Sequence, residues 1–545
     1  MTRRQLLDLL GKSYLAARAT PLTSLLASPR PTAKSVRCIN IINFIREIEP
    51  RFKMDMLLPV QRQMEIIREH DLPATWLLQF DALVSGPFVP FLKDQMAKNQ
   101  EVGFWFEMNE KHCKAAEVAW RGRPGYEWDH LPSVAFTLGY TKEERVKLAD
   151  AAMREFHKVW GHYPSSVASW NLDAFTIGHL VERYRVDAFA VCRDQIATDG
   201  FTIWGAPIAG YYPCKSNCWS PAVDPSNQIP SPVFRMLGQD PVYYYERQFS
   251  IRGGSPISAP DTMEPAWPSG QDPTFVRSFL EMIAEGRTLG FAYAQVGQEN
   301  TFPWDQQSSG YAPQMIALRE LRSKGQVHIE TMGDSGRRFK RSFKQTPPQA
   351  QVMLDDPFGN TNPACATVWY QSRHYRANLH VEGGLPYLRD MTIYSDRQEQ
   401  PFLHKPARMN EVEQRLPAVI DGYHWSPAGG FFIVGTNRLT LTGKPQVRED
   451  GSILEVTLPA QNGKVVVRFA EQHLAIRGPR GIALSLEWNS AKAEITAVAL
   501  KQLGYSWQGF DYAVKLIKGL ARKSDAGAII DSDKGLIELS LAQEL

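Results

Sequence analysis

Cysteine is scarce in this chain: six residues in 545, with no C-x-x-C pair among them. That excludes a disulfide scaffold and a structural zinc site of the usual spacing. Excess charge of one sign is also missing, since 61 Lys and Arg stand against 58 Asp and Glu. Nothing in that balance points to nucleic acid as a partner. No run of about 18 apolar residues occurs, so there is no candidate for a membrane-spanning helix. Absent too are H-x-x-x-H, G-x-S-x-G, G-x-G-x-x-G and a Walker loop. Zinc proteases, serine hydrolases and nucleotide enzymes therefore find no support. There is no internal repeat and no low-complexity tract, and the sequence bears no signal of oligomeric state.

Aromatic residues, by contrast, are plentiful: 14 Trp, 19 Tyr and 26 Phe. They supply large cores, and they also suit sugar binding, because a pyranose offers an apolar C–H face to an aromatic ring. Cys38 and Cys192 fall within predicted strands as small core residues. Cys214 and Cys218, in YYPCKSNCW, form a candidate bridge if the compartment oxidises. Residues 1–30 read as a signal or tail: Thr2-Arg3-Arg4-Gln5-Leu6-Leu7 resembles a twin-arginine export signal, which favours a periplasmic or extracellular protein. Asp8, Lys12 and Arg18 interrupt the apolar stretch that follows, leaving a cytoplasmic amphipathic helix as the alternative.

From Arg37 to about Lys344, short apolar runs end repeatedly in a charged or amide residue. CINIINF leads to Arg46 and Glu49, ATWLLQF to Asp81, VGFWF to Glu107, and SVASW to Asp173. DAFAVC leads to Asp194, VFRML to Asp240, GFAYAQ to Gln298 and Glu299, and VHI to Glu330. Runs of this length and composition predict buried strands. Helical stretches separate them, with apolar spacing of three and four over 57–70 and a capping box (Thr141, Glu144) opening 141–161. Others follow at 272–286, 311–325 and 334–344. The pattern predicts an α/β fold, a (β/α)7–8 TIM-like barrel over residues 31–346, with polar side chains at the strand C-termini where such barrels place their sites. Two long aromatic, Gly- and Pro-rich insertions, 111–140 and 195–232, read as binding loops. After TPPQ (346–349) the texture changes to short alternating strands, predicting a C-terminal antiparallel β-sandwich over 347–545.

Glu107 follows three aromatics in GFWFEMNEKH, where apolar walls raise a carboxyl pKa toward the range of a general acid; an ion pair with Arg46 or Arg121 is the alternative. Asp173 either joins the site or caps the helix starting near Ala174. Asp194 and Asp199, in CRDQIATDG, offer one group for substrate hydroxyls and one for a turn with Gly200. Glu299 arrives from the opposite side of the barrel, beside Gln298 and other amides able to bond sugar hydroxyls. Arg46 and Glu49 either act on substrate or brace the mouth as an ion pair. His112 is the one histidine near the candidate carboxylates. Glu107, Asp173, Asp194 and Glu299 are the catalytic candidates. Arg46, Glu49, Asp81, Trp105, Trp170, Asp199, Trp204, Tyr212, Arg235, Gln298 and Trp304 are the substrate-binding candidates.

The segment IIREHDLPATWLLQFDAL resembles the second strand unit of NodB-type polysaccharide deacetylases, and NQEVGFWF resembles their "G-H-E-I-G" strand. That family holds a divalent metal with an Asp-Asp motif on strand one and two histidines. Here strand one reads NFIREIEP and the histidine positions are Trp105 and Asn109. Over most of residues 38–345 the chain is more similar to uncharacterised bacterial proteins of a glycoside hydrolase/deacetylase family, in INFIREIEPR, LLQFDAL, WRGRPG, SWNLDAF, CRDQIATDGFTIWG, FRMLGQDP and GQENTFPWD. The resemblance implies a barrel plus β-domain acting on an oligo- or polysaccharide.

The expected reaction is glycoside hydrolysis by two carboxylates, without cofactor, with Glu107 and Asp173 the first pair and Asp194 and Glu299 in reserve. The alternatives are a divergent deacetylase with a divalent metal on Glu107, His112 and Asp81, and a non-catalytic glycan-binding protein.

Overall fold

The computed structural model describes residues 35–51, 53–238, 262–355, 365–421, 429–461, 463–487 and 494–543. The twin-arginine segment and Asp240 lie outside them. The first sheet contains β1 (Val36–Ile45), β2 (Thr75–Leu78), β3 (Glu101–Trp105), β4 (Ser166–Ala168) and β5 (Ala188–Cys192). The chain then makes a hairpin, β6 (Gln195–Thr198) and β7 (Phe201–Trp204), before β8 (Gly210–Tyr211), β9 (Val233–Met236), β10 (Phe291–Val296) and β11 (His328–Ile329). The order is β10-β1-β2-β3-β4-β5-β9-β8, with β11 also paired to β1. All neighbours are parallel except β8, which runs antiparallel along β9. Parallel strands are covered on both faces, which is why β1 is buried along all but its first residue and β10 along its whole length.

Among the described residues no backbone ladder joins β9 to β10, so the barrel is nearly closed rather than closed. Side chains span the seam. Phe234 stacks on Tyr293 with ring centroids 4.6 Å apart, and Gln295 accepts the Leu237 N–H at 2.7 Å. Gly210 completes it: a Cβ there would lie 2.7 Å from Phe291 and 2.8 Å from Phe234.

The helices follow from local signals. Lys142–Trp160 has the expected capping box, ends at Gly161 in the left-handed region, and buries Leu148, Ala149, Ala152, Met153 and Phe156. Helix Trp304–Ser323 begins at Trp304 instead of Tyr311. Its first turns are polar and give no apolar period. They are fixed instead by buried Gln307, which accepts from Gln63 Nε2 at 2.8 Å and donates to the Phe302 carbonyl at 2.8 Å.

The C-terminal region forms two large antiparallel sheets, one starting at Gln349–Met353 and one at Gln446–Asp450. Their inward residues, among them Val368, Leu388, Leu484, Val456, Val467 and Leu539, make one core. The region does not stand apart from the barrel, and Ala33–Leu545 is one compact unit. Its segment Val412–Arg415 pairs in parallel with β7, and buried Arg376 reaches Asp194 at 2.6 Å. All six cysteines are free, with Cys218 Sγ donating to the Leu172 carbonyl, so the candidate Cys214–Cys218 bridge is not formed.

Candidate active site at the barrel mouth

Arg46 is the first residue after β1 and only 2% exposed. Asn300, on the loop after β10, fixes its backbone from both sides: Oδ1 accepts the Arg46 N–H at 3.0 Å and Nδ2 donates to the Arg46 carbonyl at 2.9 Å. The guanidinium lies 3.9 Å from the Trp128 ring centroid. Its Nη2 stands 3.2 Å from Glu107 and 3.5 Å from Glu299, and its Nη1 3.6 Å from Glu49. One buried cation thus gathers three carboxylates from the ends of three segments.

These carboxylates are not equivalent. Burial alone would raise Glu49, but two hydrogen bonds from Arg51 and the charge of Arg46 hold it below the usual range. Burial raises Glu107; Arg46 opposes the shift, as do the nearby Trp105 and Trp128. Glu299 is pushed up to about 7 by burial first, against Arg46, with the charges of Glu264 and Glu107 adding to the rise. Its side chain is 13% exposed against 1% for Glu107, so Glu299 is the carboxyl a solute reaches. Glu264 is also raised by burial, against Arg193.

Glu299 and Glu264 line one narrow cleft, with Gln295, Gln298, Phe44 and Trp170. Trp105 backs its aromatic wall, stacked on Phe44 at 3.9 Å and edge-on to Trp170 at 5.1 Å. Gly297 (φ 112°) lets the chain pass β1 here, since a Cβ would lie 2.2 Å from the Ile42 carbonyl. Gln298 is held by its N–H donating to Asn43 Oδ1 at 3.1 Å, and its own Oε1 accepts from Ala266 N–H at 3.0 Å. Asp199, exposed on the turn of the β6–β7 hairpin, adds negative charge that is felt at Glu107, Glu264 and Arg51.

Other candidates are engaged elsewhere. Asp173 caps helix Ala174–Tyr184, accepting from Thr176 N–H at 3.0 Å, and forms a buried ion pair with Arg145 at 3.0 Å. Asp194 is locked between Arg376 at 2.6 Å and Arg235 at 3.1 Å. Arg235 in turn lies 5.0 Å from the Trp219 ring centroid. Asp81 ties down the loop after β1 through the N–H groups of Ile48 and Glu47, and burial pushes it up to about 6. Trp204 is buried in the small sheet beside Arg376. Tyr212 points to the other end of the barrel, donating to the Phe343 carbonyl at 2.9 Å and packing on Phe339. Trp304 packs edge-on to Tyr311. Arg121, the alternative partner of Glu107, pairs with Glu144 instead. Sequence reasoning missed Glu264, which no apolar run precedes in the sequence and which therefore carried no strand-end signal. It also missed Trp128, although WRGRPGYEWDH had marked its loop.

No protein-family model matches the sequence, and neither does any curated protein. Among solved structures, a "putative glycoside hydrolase/deacetylase" from Parabacteroides distasonis aligns at TM-score 0.54 and 16% identity, over 73% of this chain and 93% of that one. The two proteins share a fold. A "putative polysaccharide deacetylase" from Mycobacterium smegmatis aligns at TM-score 0.33 and 13% identity, over 60% of this chain and 96% of that one.

The sequence resemblance to NodB-type deacetylases makes a divalent metal the group to test for, and the described residues do not fit one. Among the described residues no three His, Cys, Asp or Glu side chains converge as a ligand set. His112 Nε2 donates to the Leu148 carbonyl at 2.8 Å, and its ring is stacked on Phe80 at 4.6 Å. Burial lowers His112 to about 4. Asp81 faces backbone N–H groups. At the strand-one position the chain carries a guanidinium, which repels a metal cation. Among the described residues no helix is long and apolar enough to cross a membrane.

Proposed function

We propose that the chain is a carbohydrate-acting hydrolase that cleaves glycosidic bonds with a carboxyl pair, Glu299 as general acid and Glu264 as base or nucleophile. The observation that carries this reading is Glu299 held at about 7 in the same cleft as Glu264, under an aromatic wall. A carboxyl near neutrality keeps its proton until a leaving oxygen needs it. Glu107 and Arg46 then act behind the pair: burial keeps Glu299 protonated, the charges of Glu264 and Glu107 add to the effect, and Arg46 limits it. Trp170 and Phe44 take the apolar face of the ring, while Gln298 reaches its hydroxyls.

The test is a glycan-library screen for reducing sugar and acetate with wild type, Glu299→Gln and Glu264→Gln. The reading expects reducing-sugar release that falls at least about 100-fold in each variant. Activity that survives both substitutions would sink it. A second reading, polysaccharide deacetylation, is favoured by the fold likeness. It expects acetate release that survives Glu299→Gln.

A further inference from the structure

The cleft that Glu264 and Glu299 line is narrow and partly open to solvent, so any glycan chain that meets it has to run on over the rim. On that rim Trp267 is 49% exposed. Scattered exposed aromatics mean little by themselves; this one is fastened to the cleft. Its backbone N–H donates to the Glu264 carbonyl at 3.1 Å, and its neighbour Ala266 donates to Gln298 Oε1 at 3.0 Å. Glu264 and Gln298 both line the cleft. Phe302, two residues after the Asn300 that brackets Arg46, meets the indole edge-on, with centroids 5.8 Å apart at 70°. Gln271 Nε2 braces the segment by donating to the carbonyls of Pro265 at 3.1 Å and Gln306 at 2.8 Å. An uncharged stretch, Pro265-Ala266-Trp267-Pro268, thus presents a rigid aromatic face beside the carboxyl pair.

We propose that Trp267, with Phe302 setting its edge, is an outer subsite on which one ring of a glycan chain stacks while another lies at the mouth of the cleft. The substrate class is then an oligo- or polysaccharide long enough to reach from the cleft mouth to the rim, not a monosaccharide conjugate. This rests on the carbohydrate reading above but not on which bond is cut.

The experiment is native affinity electrophoresis of the full chain in gels containing xylan, glucomannan or glycol chitin, with kinetics on oligomers of two to six rings. In at least one gel, wild type and Glu299→Gln should be retarded alike. Trp267→Ala should bind about fivefold more weakly, a stacking-sized loss, and Trp267→Phe should recover most of it. On oligomers, Trp267→Ala should reduce the kcat/KM advantage of six rings over two by the same factor. Unchanged retardation by Trp267→Ala with an unchanged melting temperature overturns the subsite, as does absence of retardation for wild type in all three gels. Trp267-sensitive binding without release of product from any glycan supports the subsite and removes the hydrolytic reading instead.

Discussion

Arg46 holds together carboxylates that would otherwise repel one another in a buried setting. Removing one member of a buried ion cluster leaves uncompensated charge, at a cost of about 3–5 kcal/mol. Arg46→Met is expected to lower urea-unfolding stability by that amount at pH 8, and by less at pH 5, where Glu299 is already protonated. Glu299 makes its own pH prediction. Folding raises its pKa from about 4.3 to about 7. The stability it contributes is therefore fully present below about pH 4.3 and is lost as pH rises through 7, up to roughly 4 kcal/mol. Glu299→Gln should flatten stability between pH 5 and 8, and an unaltered slope would show that another group titrates there. In catalysis the same proton should give wild-type kcat/KM a limb that falls above pH 7. Glu264 and Trp128 enter this balance although no strand-end pattern marked them, because their placement depends on loops folding back over the mouth.

At the scale of elements, the seam between β9 and β10 is the distinctive feature. Where a closed barrel would use backbone hydrogen bonds, Phe234, Tyr293 and Phe291 use ring packing. Phe234→Ala should cost about 3–5 kcal/mol, read from denaturant midpoints, and should raise hydrogen exchange in β9 and β10 before β2 and β3. The loop after β10 matters equally, because Asn300 clamps Arg46 while Gln298 and Glu299 face the cleft. Most helices were legible from capping and period, as at Thr141–Gly161. The early start at Trp304 was not, because buried glutamines do there what apolar residues usually do.

For the whole molecule, the barrel and the β-region are joined through charge. Asp390, Arg376, Asp194 and Arg235 form a buried relay from one to the other, and Val412–Arg415 extends the β6–β7 hairpin whose tip carries Asp199. Calorimetry of wild type should show one cooperative transition. Arg376→Ala should lower its midpoint, with a loss of about 3–5 kcal/mol, and begin to separate barrel from β-region; an unchanged single transition would show that the apolar contacts alone couple them. Asp194, which looked catalytic at a strand end, spends its charge on this joint.

Local patterning was enough to specify the alternation of strands and helices, the change of texture near residue 346, and the delivery of polar groups to one end of the barrel. Those features are local, written in periods of two and of three to four and in caps. Tertiary structure alone decided which carboxylates share a cation, which are consumed by caps and joints, and that Glu264 faces Glu299. Burial and charge pairing are properties of neighbours in space, and residues 46, 107, 264 and 299 become neighbours only when the barrel curls.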